Sequence, residues 1–470
     1  MTVAYTSRHF KREAKAALVE PNLQRALDRT TTLLQHRRAE AYRAFGEFET
    51  TRDAGSAIKD HVLRHLDHYL EEFERNAVAA GCQVHWAASA EEACRIVVEL
   101  CHQAGARTVT RVKSMLGEEI GLPEALDTAG FDRVETDLAE HINQLAGDRP
   151  SHIVIPALHK TQEQVADLFA HHHGHGRVIA DVGELVQSAR LVLREKYFAA
   201  DVGISGANFL VADSGAVCTV TNEGNAELTM QLPRVQIVTA GIEKLVPSLD
   251  HAGVLLRLLA RSALGMEITQ YTTFLTGARR PGDRDGPEEM HIVLVDAGRS
   301  DILADDLRPI LKCIRCAACI NHCPVYGQIG GHAYGGIYQG PMGSVLTPAM
   351  ASLAEAKDLP QACTLNGRCV EVCPVRIPLT DLMRRLRERT WREGLVDAPT
   401  RWGLRFWAMA ARRPALYRLA SRWAVRSLKF WSRGRGAMAS LPFGGAFTRS
   451  RDFPAPEGDT FMDRYRRGER

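Results

Sequence analysis

No run of about 18 apolar residues occurs in this chain of 470 residues, so no membrane-spanning helix is expected. The N-terminus, MTVAYTSRHFKREAKAALVE, has no apolar core run, so a secretory signal is not expected either. No GxxxxGK[ST] segment occurs, which argues against a P-loop nucleotide site. No complete GxGxxG follows the first predicted strands, and Gly203-x-Ser205-Gly206 does not complete one, so a nicotinamide site has weak support. Nothing resembles a nucleic-acid recognition motif. Charge is nearly balanced, with 59 Lys/Arg against 56 Asp/Glu and a net of +3. What remains is a chain that is 45% hydrophobic and 24% charged, with room for two or three domains.

Cysteine is where this sequence is most informative. Of eleven Cys, seven fall in two groups. The first reads Cys313-x2-Cys316-x2-Cys319-x3-Cys323-Pro, and the second holds Cys363, Cys369 and Cys373-Pro374. This is the bacterial ferredoxin arrangement, in which three closely spaced thiolates grip one iron–sulfur cube and the fourth Cys crosses to the other. The pattern implies one-electron transfer. Zinc is the alternative, but zinc sites usually pair Cys in two Cys-x2-Cys knuckles, not in a triplet closed by Cys-Pro. Cys82, Cys94, Cys101 and Cys218 lie among apolar neighbours, where a free Cys acts as a small hydrophobe. A reducing cytoplasm suits these thiols, because disulfides would compete with ligation.

The second group departs from the pattern at Asn366, where a full motif has Cys. Crossover assigns Cys313, Cys316, Cys319 and Cys373 to cluster one, and Cys363, Cys369 and Cys323 to cluster two. The expected cofactors are therefore one 4Fe-4S cluster and a second that is either 3Fe-4S or 4Fe-4S. In the latter case the last iron binds Asn366, water or a substrate atom.

Residues 1–80 read as helical, as in AIKDHVLRHLDHYLEEFERNA. From about 81, strand-like runs alternate with helical ones. CQVHWA, RTVTRVKS, DRVETD and SHIVIPA read as strands, with helices at EEACRIVVELCHQAG, LAEHINQLAG and from Thr161 toward Phe169. After the helix GELVQSARLVLREKYFA come strands at NFLVAD, AVCTVTN, VQIVTAG and HIVLVDAG. The alternation predicts a mostly parallel sheet covered on both faces. Residues 327–343 hold seven Gly and are too irregular for a regular helix, whereas LTDLMRRLRERTWREGL is helical.

Residues 381–436 carry 15 Lys/Arg and four Asp/Glu, a net of +11, which leaves −8 for the rest of the chain. Five of the six Trp (391, 402, 407, 423 and 431) lie there too. Pro414 limits this stretch to two short helices. Such a segment can dock an acidic partner, lie on an anionic membrane surface, or pack on the chain's own acidic domains. Nucleic acid fits least.

Outside the cysteines, Arg111 and Lys113 follow a predicted strand, at the end where open α/β sheets bind ligands. Both can hold a carboxylate; a solvated strand end followed by the acidic helix start Glu118-Glu119 is the plainer reading. His159-Lys160 ends another predicted strand and competes for that role. Asn222-Glu223-Gly224-Asn225 lies between predicted strands and is either a hairpin turn or a pocket edge, with Glu223 and Asn225 as ligand contacts. The run His171-His172-His173-Gly174-His175 offers metal ligands, or cations at a helix C-terminus.

From about residue 35 onward the chain resembles the lactate-utilization iron–sulfur protein B family. The marks are RVKSMLGEEIGL (111–122), ETDLAEHINQLAGDRPSHIVIPALHK (135–160), ADVGISGANFLVADSGAVCTVTNEGNAELT (200–229), GPEEMHIVLVDAGRSDIL (286–303) and HAYGGIYQGPMGSVLTP (332–348). The resemblance implies an α/β LUD domain over 81–303, similar to the sugar-phosphate isomerase, CoA-transferase and methenyl-tetrahydrofolate synthetase group. A mainly helical dicluster ferredoxin domain would follow over 304–380, between an N-terminal helical region (1–80) and a basic, Trp-rich C-terminal region (381–470). It also implies an electron-transfer subunit working beside two other lactate-utilization subunits to oxidise L-lactate to pyruvate, with quinone or another carrier as acceptor. The expected location is the cytoplasm, with peripheral contact on the inner membrane face as one option. Two competing readings are a LUD domain catalytic on a small carboxylic acid, with the clusters as electron outlet, and a non-catalytic redox sensor or scaffold.

Overall fold

Short Val- and Ile-rich runs set between helix-length segments fold here into an α/β sheet. The computed structural model describes residues 5–174, 176–441, 444–448 and 451–469. In chain order the main strands are β1 (Gln83–Ala87), β2 (Thr108–Arg111), β3 (Asp132–Glu135), β4 (Val202–Gly206), β5 (Phe209–Val211), β6 (Ala216–Thr221), β7 (Val235–Gly241), β8 (Leu245–Val246), β9 (Tyr271–Leu275) and β10 (Glu289–Val295). Six of them form one sheet in the order β1-β10-β7-β4-β2-β3, with every neighbouring pair parallel. The other four form a mixed sheet in the order β8-β5-β6-β9.

Side chains alternate across a strand, and the two faces of the large sheet meet different cores. Ile237 and Val293 pack with Val97, Leu100 and Leu116 on one side. Val238, Ile292 and Leu294 pack with Phe73 and Leu210 on the other. Every residue of β7 is buried, as a central parallel strand requires. The helix Ala90–Gln103 covers the first face and Leu66–Ala79 the second.

Two expected features take a different form. Residues 151–157 make no strand. The His152 Nδ1 instead accepts the Val154 and Ile155 N–H groups, both at 3.0 Å, and so replaces the ladder partners a strand would need. That loop packs against the Gly-rich segment so closely that a Cβ on Gly331 would lie 1.9 Å from the Ser151 carbonyl oxygen. Residues 222–225 are not a hairpin turn: Gly224, at φ +74°, caps the helix Asn225–Gln231 that leads from β6 to β7. The Gly-rich span holds only the short helical turns Tyr326–Ile329 and His332–Tyr334 before Gly340, where the buried helix Gly340–Met350 begins with Pro341 in its first turn.

The chain divides into two compact units, the first ending at Thr390 and the second beginning at Trp391. Within the first, the N-terminal helices do not stand apart. Phe10, Leu27 and Phe48 share one apolar core with Cys316, Tyr334, Cys373 and Leu382 of the cysteine-bearing segment. The second unit contains the helices Ala398–Ala411 and Pro414–Trp431, neither of which has a buried residue. No helix among the described residues is long and apolar enough to cross a membrane.

Candidate metal centres and the adjoining cavity

The two cysteine runs share one backbone plan. Two residues after Cys313 the chain turns left-handed at Arg315 (φ 61°), and two residues after Cys363 it does so at Leu365 (φ 56°). Ala317 (φ 61°) and Gly367 (φ 84°) repeat the turn two residues further on. A non-Gly residue in this region is held against a cost of about 1 kcal/mol or more. The result is that backbone N–H groups point at sulfur. The Arg315 N–H lies 3.4 Å from Cys313 Sγ, and the Leu365 N–H lies 3.3 Å from Cys363 Sγ. The Tyr326 and Ile377 N–H groups reach Cys323 Sγ and Cys373 Sγ at 3.5 and 3.4 Å.

Each of two small cavities takes cysteines from both runs. One is lined by Cys313, Cys316, Cys319 and Cys373. The other is lined by Cys323, Cys363 and Cys369, with Thr364 and Asn366 at its edge. Burial first, then neighbouring Cys sulfurs, push the Cys316 and Cys319 thiols far above their usual range and Cys369 to about 12. Thiols so placed ionise only against a bound cation, and iron of a cluster supplies one. Four thiols on one cavity and three on the other, each set drawn from both runs, suit the crossover ligation of two iron–sulfur clusters.

A buried arginine braces this region from the N-terminal helices. Arg52, in the helix Phe48–Arg64, donates to the Cys373 carbonyl oxygen at 3.1 and 2.8 Å and to that of Glu371 at 2.8 Å. Arg38 donates to the Val372 carbonyl oxygen at 3.0 Å. Asn366 is exposed, and its Oδ1 accepts the Arg368 N–H at 3.2 Å.

A cavity of about 560 Å³ adjoins the first cysteine set. Residues at or just beyond the C-terminal ends of β2, β4 and β7 contribute to it, where the parallel sheet opens, and the end of β6 in the smaller sheet adds to the wall. Its polar lining includes Lys113, Glu223, Asn225, Lys244 and Arg315, and Cys316 forms part of the wall. An ionic lattice stands behind it. Arg299 pairs with both oxygens of Glu119 at 2.9 Å and with Glu243 at 2.6 Å. Arg315 lies 3.6 Å from Glu243 and stacks 4.5 Å over the Tyr338 ring, whose hydroxyl donates to Glu119. Burial alone would raise the Glu243 carboxyl, but Arg299 and the cations beside it hold it at about 2.

The expected pocket residues thus separate. Lys113, Glu223 and Asn225 meet at one cavity. Arg111 does not line it, because its guanidinium is buried against Glu118 and Glu135, the latter at 2.7 Å. His159 and Lys160 both turn to Asp148, at 3.2 and 2.5 Å. In the His run, His173 packs on Phe169 and lies 3.1 Å from His141, while His175 lies outside the described residues. Lys244, Arg299 and Arg315 were not singled out from sequence. Arg315 is a cation between ligating cysteines, which was the available signal, whereas Lys244 and Arg299 follow strand ends among polar neighbours and gave none. All four cysteines outside the two runs are buried.

Residues 70–295 match the LUD domain family, and residues 309–377 match a 4Fe-4S dicluster domain. Lactate utilization protein B of Bacillus licheniformis is 42% identical over 466 residues, covering 98% of this chain and 97% of that one. The proteins of the same name from Geobacillus sp. (strain WCH70) and Bacillus subtilis are 43% and 40% identical, covering 92% and 97% of this chain and 91% and 95% of theirs. A solved DUF162 family protein from Deinococcus radiodurans is 13% identical with a TM-score of 0.28, covering 49% of this chain and 98% of its own. With about two residues in five shared along nearly its whole length, the chain belongs to the lactate utilization protein B family.

Proposed function

We propose that this chain is the iron–sulfur electron-transfer subunit of a complex that oxidises L-lactate to pyruvate, acting beside two other lactate-utilization subunits. The observation that carries the reading is the pair of cavities, each walled by cysteines from both runs. Cys313, Cys316, Cys319 and Cys373 hold cluster one; Cys363, Cys369 and Cys323 hold cluster two. When bound, such clusters accept and release single electrons. The chain's own residues place the sulfurs, direct N–H groups at them and keep water away. Asn366 Oδ1 already accepts the Arg368 backbone N–H, which favours a 3Fe-4S form for the second cluster over one ligated by that residue.

The relatives' name supplies lactate, and the free state of all eleven cysteines supports a reducing compartment. The basic second unit supports contact with the inner membrane face, near a quinone acceptor. Trp423 and Phe430 on its longer helix are 75% and 86% exposed.

Lactate-dependent dye reduction by the anaerobically prepared chain, alone and with its two partners, tests the proposal. Turnover only in the presence of the partners is the expected result. Turnover by the chain alone would move the chemistry into its own LUD domain. A cluster lost reversibly in air, with no turnover in any combination, would favour a sensor.

A further inference from the structure

We infer that the cavity beside Cys316 is a binding site for a small hydroxylated organic anion, held by Lys113 and Lys244 with its hydroxyl on Asn225. The inference rests on the reading above only for what Cys316 holds. A volume of about 560 Å³ is within the range of small-molecule sites, and the C-terminal edge of a parallel sheet is where such sites form.

The charge of the lining selects the ligand. Of the carboxylates in the lining, Glu243 is buried and already neutralised by Arg299 and Arg315, Asp137 caps the helix Leu138–Ala146, and Glu223 is exposed and accepts the Asn222 N–H. Lys113 and Lys244 line the cavity with no hydrogen bond or ion pair to a protein group among the described residues. Lys113 and Lys244 are half-buried, and the carboxylate beside Lys244, Glu243, is already shared with Arg299 and Arg315, so two ammonium groups on one cavity favour an anion.

A second, independent feature narrows the class. Asn225 is 7% exposed, and its Oδ1 is buried without a hydrogen-bond partner. A buried acceptor left unmade costs roughly 1–3 kcal/mol, and a ligand hydroxyl would satisfy it. The remaining wall, including Ile153, Pro156, Leu259 and Met266, is apolar and suits a carbon skeleton. Carboxylate and phosphate share the required charge. The ligand would share a wall with Cys316, so its arrival would alter the surroundings of the group bound there.

Titration calorimetry on the anaerobically purified full chain tests this. L-lactate serves as the hydroxycarboxylate probe, glycerol 3-phosphate as the hydroxylated phosphate, and propionate as the control without a hydroxyl. One of the first two is expected to bind at least tenfold more tightly than propionate, and which one does so distinguishes carboxylate from phosphate. Lys113→Gln and Lys244→Gln should each weaken that binding at least tenfold, with melting temperatures unchanged. Asn225→Ala should remove the preference over propionate. Absence of binding by both hydroxylated anions, or equal binding by wild type and both lysine variants, overturns the inference. Iron content of the same samples separates the two readings. Full iron with no anion binding removes this site alone, whereas anion binding by an iron-free chain removes the electron-transfer reading alone.

Discussion

Replacing Arg52 with Met should release cluster one before the fold itself gives way. The guanidinium makes three contacts to the carbonyl oxygens of Glu371 and Cys373, at 2.8 to 3.1 Å, and pairs with Glu49 at 2.7 Å. Met keeps most of the buried volume and removes every donor. Hydrogen bonds to a charged group contribute about 1.5–3 kcal/mol each. The Cys373 oxygen keeps one partner in the Arg376 N–H, at 3.3 Å, so the losses do not add fully. A cost of about 3–5 kcal/mol follows, a large share of the 5–15 kcal/mol that holds a typical domain. It falls on the segment carrying Cys369 and Cys373. Arg376→Met is the control, since that side chain is 38% exposed and pairs with Glu49 and Asp53 at the surface, where a pair contributes about 1 kcal/mol or less. Anaerobic urea titration, following cluster absorbance and far-ultraviolet circular dichroism together, reads both. In R52M the absorbance should be lost at lower urea than the helical signal, while R376M should track the wild type. Coincident transitions in R52M, or equal shifts in the two variants, would refute the bracing role.

Asn366→Cys should complete the second donor set, raising iron from about seven to about eight per chain and removing any three-iron EPR signal from oxidised protein; unchanged iron and signal would count against the assignment of cluster two. The His152 imidazole is neutral in the folded chain, since burial holds its pKa at about 4 against an ordinary 6.5. The unfolded chain therefore binds the extra proton between those values, and folding stability should fall as pH drops from 6.5 to 4, by up to about 3 kcal/mol. His152→Gln should flatten that part of the pH–stability curve measured by denaturant unfolding; an unaltered slope contradicts the assignment. Flotation with phosphatidylserine-rich vesicles should lift the full chain, and replacing Trp407, Trp423 and Phe430 with Ser should reduce binding about tenfold or more. A wild-type chain left at the bottom of the gradient would remove the membrane contact.

Five of the six strands of the large sheet were legible because alternating apolar runs and helical segments leave few other arrangements; β4 (Val202–Gly206), with glycine at two of its five positions, was not. The run at 151–157 misled for a physical reason. Period and hydrophobicity cannot tell a strand from a buried loop, and here one imidazole satisfies two N–H groups that a neighbouring strand would otherwise take. Gly224 suits a turn and a helix cap equally, since both need positive φ. Lys113 was legible as a cavity residue from its place after β2. Arg111, two positions earlier, points into the ion pairs behind it, and nothing local in the sequence separates the two. The destination of the N-terminal helices was not legible at all. Arg52 and Cys373 are 321 residues apart, and a contact that distant leaves no local trace.

Iron and acid-labile sulfide analysis, with EPR, of the full chain purified without oxygen tests the central claim most directly. The thiol geometry predicts a brown protein with about seven to eight iron per chain and matching sulfide. A colourless polypeptide carrying zinc in place of iron would contradict it.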